Sequence, residues 1–208
     1  MLINLETLKM RIISGKFKGQ KLVDCSKMIG LRPTTDWSRE ALFNILQSGK
    51  FLKNTEFNLQ GCNFLDACCG TGAVGIEAIS RGARKSIFVD NNIEHLQILK
   101  KNIANFKIEN QTHIIHRDIN SLTKIDDEFD AVFLDPPYDS NYQKMVRNLI
   151  KNQIITKKTI LIIEFETKDL QKFREILNKD FLTLEERKYG RSFLGIYQIL
   201  SEFSPQIL

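Results

Sequence analysis

The 208-residue sequence predicts an α/β fold: a doubly wound, mostly parallel seven-stranded sheet with a closing antiparallel hairpin and a small N-terminal β-hairpin/helix extension. Three observations predict it. Short apolar runs such as SIFVD (86–90) and TILIIEF (159–165) are continuous rather than alternating, as in strands buried on both faces. They alternate with segments of helical periodicity, which indicates a parallel sheet covered by helices. The last run, FLTLEERKYGRSFLGIYQIL, reads as a hairpin turning at Tyr189-Gly190.

The elements follow in order. Residues 10–24 (MRIISGKFKGQKLVD) read as two short strands joined by a glycine-containing turn, and 31–35 as a proline-containing loop. Thr35 or Asp36 can N-cap a helix in which Trp37, Ala41, Leu42, Ile45 and Leu46 recur at helical spacing. Trp37 is therefore expected to pack in the core, and Ser48-Gly49 to stop the helix. After Gly61 the pattern becomes regular, with strands at 62–66, 86–90, 112–118, 129–135 and 159–165. Helices are expected near 73–81, 92–105, 141–151 and 169–178. This divides the chain into an N-terminal extension, 10–50, and a main domain, 51–208.

Charge is unevenly placed. Lys9 to Glu40 holds eight Lys/Arg against three Asp/Glu, and the rest of the chain balances, so the whole net charge of +5 lies in this segment. A basic segment suits an anionic partner, because neutralised phosphates release counterions. Charge alone equally fits a solvated loop. No apolar run approaches the ~18 residues of a membrane span. The N-terminus MLINLETLKM is too short and too acidic for a secretory signal, so a cytoplasmic protein is expected. Cys25, Cys62, Cys68 and Cys69 match no paired zinc pattern and are expected to be reduced thiols, with no metal bound.

In an open α/β sheet, ligands bind beyond the carboxyl ends of the strands. Asp66 ends the first strand, Gly70, Thr71 and Gly72 form the next turn, and Gly75 lies one turn into the helix. Glycines here let the backbone approach a ligand closely, and the helix start can receive a carboxylate. Asp90 ends the second strand, placed to accept from two ribose hydroxyls. Asp118 ends the third, placed to accept from an adenine amino group. The set suits a nucleoside-containing cofactor. The loop by itself is weak, because its glycines at 70, 72 and 75 do not keep the GxGxxG order, and such residues also occur as ordinary turns and strand ends.

Asp135-Pro136-Pro137-Tyr138 follows the apolar strand FDAVFLD, at the same edge of the sheet. The prolines remove backbone donors and leave carbonyls as acceptors. An exocyclic base amine is a poor nucleophile, because its lone pair is delocalised into the ring. The Asp135 carboxylate and the Pro136 carbonyl can bind its two hydrogens and favour a pyramidal nitrogen aimed at a methyl sulfonium. Tyr138 offers a face on which the base can stack. Such positioning can supply ~7–11 kcal/mol of a barrier without a metal or a covalent intermediate. His95, His113 and His116 are scattered and receive no catalytic role.

Together these motifs resemble Rossmann-like class I methyltransferases acting on amino groups. RIISGKFKGQKL (11–22), GLRPTTDWSREALFNIL (30–46), LDACCGTGAVGIEAISRGA (65–83), FLDPPY (133–138) and the closing RKYGRSFLGIYQI resemble the RsmD family, bacterial methyltransferases of guanine N2 in small-subunit ribosomal RNA. The loop CCGTG departs from the FxGSG-like sequence frequent there. The resemblance runs from Met10 onward, so translation could begin at Met1 or at Met10. It implies S-adenosylmethionine as cofactor and S-adenosylhomocysteine as product. Asp66, Cys68, Gly70, Thr71, Gly72, Asp90, Asn91, Asp118 and Ile119 would contact the cofactor, and Asp135, Pro136, Pro137 and Tyr138 would hold the guanine. Arg32, Thr34, Thr35, Asp36 and Arg39 belong to a segment lying close to the active site, and with Lys16, Lys18 and Lys21 they form the expected RNA-binding set. The partner implied is small-subunit ribosomal RNA, within an assembling 30S subunit, met by a monomer. Arg32 and Arg39 could instead pair with Asp36 or Glu40. Alternatives for the whole chain are an adenine-N6 methyltransferase of DNA or RNA, a non-catalytic RNA-binding assembly factor, and, on the glycine loop alone, a nicotinamide-dependent oxidoreductase. DNA enzymes of the first kind lack the RPTTD segment, and 208 residues leave no room for a separate target-recognition domain.

Overall fold

The computed structural model describes residues 10–25, 36–137, 140–177, 180–190 and 192–200. Its strands are β1 (Asn63–Ala67), β2 (Lys85–Asp90), β3 (Thr112–His116), β4 (Ala131–Leu134), β5 (Ile160–Glu166), β6 (Phe181–Tyr189) and β7 (Ser192–Ile199). Its helices are α1 (Asp36–Leu46), α2 (Gly49–Asn54), α3 (Ala73–Ser80), α4 (Ile93–Phe106), α5 (Tyr142–Lys151) and α6 (Leu170–Leu177). The sheet order is β3-β2-β1-β4-β5-β7-β6. β1 to β5 are parallel, and β7 runs antiparallel between β5 and β6. The doubly wound sheet with its closing hairpin is the architecture expected from the sequence.

Alternate strand residues feed opposite faces. Leu65, Val132, Leu134, Leu161 and Ile163 pack against Tyr142, Met145, Val146 and Leu149 of α5 and Phe173 of α6. Phe64, Ala131, Phe133, Ile160 and Ile162 point the other way, onto Leu42, Phe43 and Leu46 of α1 and Val74 and Ala78 of α3. A third cluster joins Phe88 to Ile76 and Ile79 of α3 and to Leu99, Ile103 and Phe106 of α4, and it also buries Ile12 and Leu22. Residues 10–25 and α1 thus share the cores of the main sheet.

Three local expectations are corrected. Residues 10–24 do not form two strands, but a loop closed by one antiparallel bridge, Arg11 to Lys21. Ile12 N, Gly19 N and Leu22 N bond across this hairpin-like loop to the Gln20, Ile12 and Met10 carbonyls, while its other donors go to α3: Ile13 N and Ser14 N donate to Glu77 (2.8 and 3.0 Å), Lys16 N to the Ser80 carbonyl (2.8 Å) and Phe17 N to Ser80 Oγ (3.0 Å). Gly15, at φ +82°, lies so close to Ser80 that a Cβ would stand 1.9 Å from its carbonyl oxygen. Ser48-Gly49 does not simply end α1, because Ser48 Oγ accepts from Phe51 N (3.2 Å) and caps α2. Trp37 is not in the core. The buried face of α1 runs through Arg39, Leu42, Phe43 and Leu46, and Trp37 lies about 200° around the helix from Arg39 at ~100° per residue. It is 58% exposed.

Candidate active site

The chain crosses from one half of the sheet to the other between β1 and β4, and Ala67 at the end of β1 pairs with Leu134 at the end of β4. Cys68 and Asp135 follow those residues directly, so the glycine turn and the Asp-Pro-Pro motif emerge side by side at the switch point, where open α/β sheets bind ligands. Between them is a cavity of about 470 Å³. It brings together the expected residues Asp66, Cys68, Gly70, Thr71, Asp90, Asn91, Asp118, Ile119, Asp135, Pro136 and Pro137.

The turn is held by backbone strain and by hydrogen bonds. Cys68, Gly70 and Gly72 are all left-handed, at φ 62°, 53° and 78°. Cys69 N donates to the Val89 carbonyl (2.9 Å) and Gly72 N to the Cys69 carbonyl (2.8 Å). Gly72 and Gly75 are also required by packing. A Cβ on Gly72 would stand 2.3 Å from Leu99 Cδ1, and one on Gly75 2.4 Å from Phe88 Cε1. Asn102 ties the turn to the N-terminal segment, donating to the Thr71 carbonyl (3.0 Å) and accepting from Val23 N (2.8 Å).

The acids differ in environment. Asp66 is buried and accepts from Gly75 N (2.8 Å). Burial pushes its carboxyl up to about 8; the Gly75 hydrogen bond opposes the shift and neighbouring Asp90 adds to it. Asp90 accepts from Gly70 N (2.8 Å) on one oxygen and from Asn92 N (2.8 Å) on the other, with His95 Nδ1 3.3 Å away. Asp118 lies two residues past β3, exposed, and caps a 3₁₀ turn by accepting from Asn120 N (2.7 Å). The Cys68 thiol is pushed well up, by burial first and then by Asp90, Asp135, Asp66 and Asp118. Four acidic side chains thus surround one point of the cavity, with Asp66 largely protonated there at neutral pH.

The basic residues are less concentrated than the sequence suggested. Arg39 is buried, and its Nη2 donates to Asp36 (2.5 Å) and to the Arg11 carbonyl (2.8 Å). It braces the start of α1 and has no surface to offer RNA, which corrects its place in the RNA-binding set and realises the pairing with Asp36. Asp36 also lies 3.7 Å from Arg11 Nε. Lys16, Lys18 and Lys21 are exposed. The tip bearing Lys16 and Lys18 packs at the Ser80 end of α3, away from the glycine turn, and Lys16 Nζ donates to Gln111 (2.8 Å). Arg32, Thr34, Thr35 and Tyr138 lie outside the described residues.

Sequence reasoning missed Ser38, His95, Arg117, Asn120, Glu164 and Ser192, which also line the cavity. His95 carried one usable signal: it falls five residues after a strand-end acid, within the first turn of α4. Its Nε2 is buried and has no hydrogen-bond partner among the described residues. Ser38, Glu164 and Ser192 come from elements far apart in sequence, and nothing local marks them. Among the described residues no group of His, Cys, Asp and Glu could hold a metal ion, and no helix is long and apolar enough to cross a membrane.

A family model described as Conserved hypothetical protein 95 matches residues 10–198. The chain is 38% identical over 162 residues to ribosomal RNA small subunit methyltransferase D of Buchnera aphidicola from Acyrthosiphon pisum, spanning 77% of this chain and 80% of that protein. It is 32% identical over 195 residues to the enzyme of the same name from Buchnera aphidicola of Baizongia pistaciae, spanning 93% of each. The solved structure of HI0767 from Haemophilus influenzae superposes with a TM-score of 0.71 at 26% identity, over 93% of this chain and 99% of that one. The yhhF structure from Escherichia coli shares the fold, at a TM-score of 0.74 and 24% identity over 92% and 98%. By these matches along most of its length, the chain belongs to the ribosomal RNA small subunit methyltransferase D family.

Proposed function

We propose that the protein transfers the methyl group of S-adenosylmethionine to the exocyclic N2 amino group of a guanine in small-subunit ribosomal RNA. The observation that carries the reading is the convergence of Asp66, Asp90, Asp118 and Asp135 with Gly70 and Thr71 of the turn on one cavity. Its relatives carry the name ribosomal RNA small subunit methyltransferase D, which fits an RNA substrate. S-Adenosylmethionine supplies, when bound, an electrophilic methyl group on a cationic sulfonium. Asp90 would accept from the ribose hydroxyls, its Oδ2 keeping a lone pair beyond that taken by Gly70 N while Oδ1 is shared by Asn92 N and His95 Nδ1. Asp66, kept largely protonated at neutral pH by its burial, would hold the turn in shape through Gly75 N. Asp118 would accept from the adenine amino group, and Asn91 and Ile119 would flank the nucleoside.

Asp135 and the Pro136 carbonyl would accept the two hydrogens of the guanine amine, and Tyr138 would stack on the base. As the N–C bond forms, the methyl–sulfur bond would break, S-adenosylhomocysteine would leave with the bonding pair, and the Asp135 carboxylate would receive the proton that the amine loses. Excluding water from such a site strengthens each of these interactions. The substrate is read as RNA in an assembling 30S subunit, and the protein as a cytoplasmic monomer without a metal.

The test is incubation with tritiated S-adenosylmethionine and small subunits lacking the modification, followed by digestion to nucleosides. Label in N2-methylguanosine is the expected result. Label in N6-methyladenosine would move the target while keeping the chemistry, and no label in subunits, naked RNA or DNA would overturn the reading. Asp135→Ala should lower turnover roughly 10²-fold or more, the scale of losing one positioned hydrogen-bonding group, while calorimetry finds cofactor affinity retained. Full activity in that variant would remove Asp135 from the role.

A further inference from the structure

Trp37 is a large aromatic residue left mostly in water, 58% exposed, in the first turn of α1. It is held in place. Its ring meets that of Tyr189 edge-on, with centroids 4.6 Å apart and planes at 88°. Tyr189 in turn packs on the core formed by α1, α3 and the sheet. Two chain neighbours fix where the pair stands relative to the cavity. Ser38, the residue after Trp37, lines it, and Ser192, the direct strand partner of Tyr189, lines it too. Two elements distant in sequence thus hold one aromatic pair next to two residues that line the cavity, with neither ring inside it. Cations accompany it: Arg11, 66% exposed, bridges to Asp36 beside Trp37, and exposed Arg187, on the same strand face as Tyr189, pairs with Glu185. The chain's basic excess lies in the segment that contains Trp37.

We infer that Trp37, braced by Tyr189, is a stacking ledge for an RNA base flanking the one that enters the cavity. This rests on the reading of that cavity as an RNA-modifying site. A base has two π-faces, and an aromatic side chain at the mouth of a pocket can hold the neighbouring nucleotide by stacking without reading its identity. Arg11 and Arg187 supply charge for the adjoining phosphates. A protein partner would also cover an exposed indole, but the basic flanks and the adjoining cavity favour a nucleic acid strand. Tyr189 limits the motion of the indole, so little freedom is lost when a base docks. The ledge would act on substrate binding and not on the reacting atoms.

Trp37 is the chain's single tryptophan, so its emission reports this position alone. Titration with unstructured single-stranded RNA should quench that emission, whereas inorganic polyphosphate, a polyanion without bases, should leave it unchanged. Trp37→Ala should raise KM for RNA about tenfold, in line with the loss of one stacked base, with kcat and cofactor affinity retained. Trp37→Phe should recover most of that loss. Matched thermal melts of both variants and the parent would show that the effect is not a loss of fold. Saturation with RNA without a change in emission, or an unchanged KM in Trp37→Ala, overturns the ledge. Quenching by RNA in a protein that transfers no methyl group would keep the ledge and overturn the activity. Methyl transfer with an unaltered KM in Trp37→Ala would do the reverse.

Discussion

Asp66 is a carboxyl group that folding makes harder to ionise. Its pKa is about 8 in the fold against a usual 3.8, with burial as the main cause. The native state therefore holds this proton over a pH range in which the unfolded chain has released it, and stability from this group is full below the unfolded value and is lost as pH rises through about 8. Asp66→Asn keeps an oxygen for Gly75 N and removes the titration. Urea midpoints followed across that range should fall more steeply with pH in the parent than in the variant, and parallel slopes would remove Asp66 as the cause. The four thiols form a second case. Burial raises all of them, Cys62 to about 12. Since the thiolate is the nucleophile, iodoacetamide at neutral pH should leave the folded protein unlabelled and label all four cysteines after denaturation, as read by mass spectrometry. Rapid labelling of Cys68 would contradict this. The strand-end acids Asp66 and Asp90 were legible in the sequence because a strand's last residue follows from the apolar run before it. The fates of Trp37 and Arg39 were not. Both sit on α1, and an amphipathic pattern ranks them by polarity alone. Arg39 was taken inside, where its Nη2 donates to Asp36 and the Arg11 carbonyl, while the indole of Trp37 was left outside against Tyr189.

Helix α3 stands close to β2 because one of its residues has no side chain. A Cβ on Gly75 would come within 2.4 Å of Phe88 Cε1 and 2.5 Å of Ser86 Oγ, in a packed layer where the ring cannot withdraw. Gly75→Ala should therefore cost about 1–3 kcal/mol, the usual range for overpacking a core, despite alanine's better helix propensity. Equilibrium urea unfolding measures it, and a stabilised variant would show that Phe88 yields. Strands and helices from β1 onward were legible to within a few residues, because their periods are clear and glycine or proline punctuates them. The fold-back of 10–24 was legible but its strands were not, because only one bridge forms and donors of Ile13, Ser14 and Phe17 run to Glu77 and Ser80, some sixty residues away. At Ser48, stop and start signals fall together, since one residue can follow a helix and cap the next.

For the whole molecule, Glu77 is the latch between the N-terminal segment and the fold. It is buried and accepts from Ile13 N, from Ser14 N and from Arg81 Nε at 2.7 Å. Glu77→Ala would leave those donors and the largely buried Arg81 charge unpaired, a change expected to cost about 3–5 kcal/mol. Urea unfolding together with limited proteolysis should show a less stable protein cleaved early within 10–25; an unaltered digest would mean that Ile12 and Leu22 anchor the segment by themselves. The same segment carries the lysines. If RNA lies along it, replacing Lys16, Lys18 and Lys21 with alanine should flatten the fall of RNA affinity with salt, and an unchanged slope would free the loop of phosphate contact. Lys16 and Lys18 stand at the far end of α3, about 12 Å along the helix from the glycine turn at 1.5 Å per residue, so such an RNA would reach well past the cavity. The order of the last two strands bears on synthesis. β7 lies between β5 and β6, so β6, though made first, has no place beside the sheet until β7 has left the ribosome. Until then β5 presents the open edge of an apolar ILIIEFE run, a surface prone to join other chains. Ribosomal pausing within the hairpin codons would thus prolong the most aggregation-prone stage of the nascent protein's life.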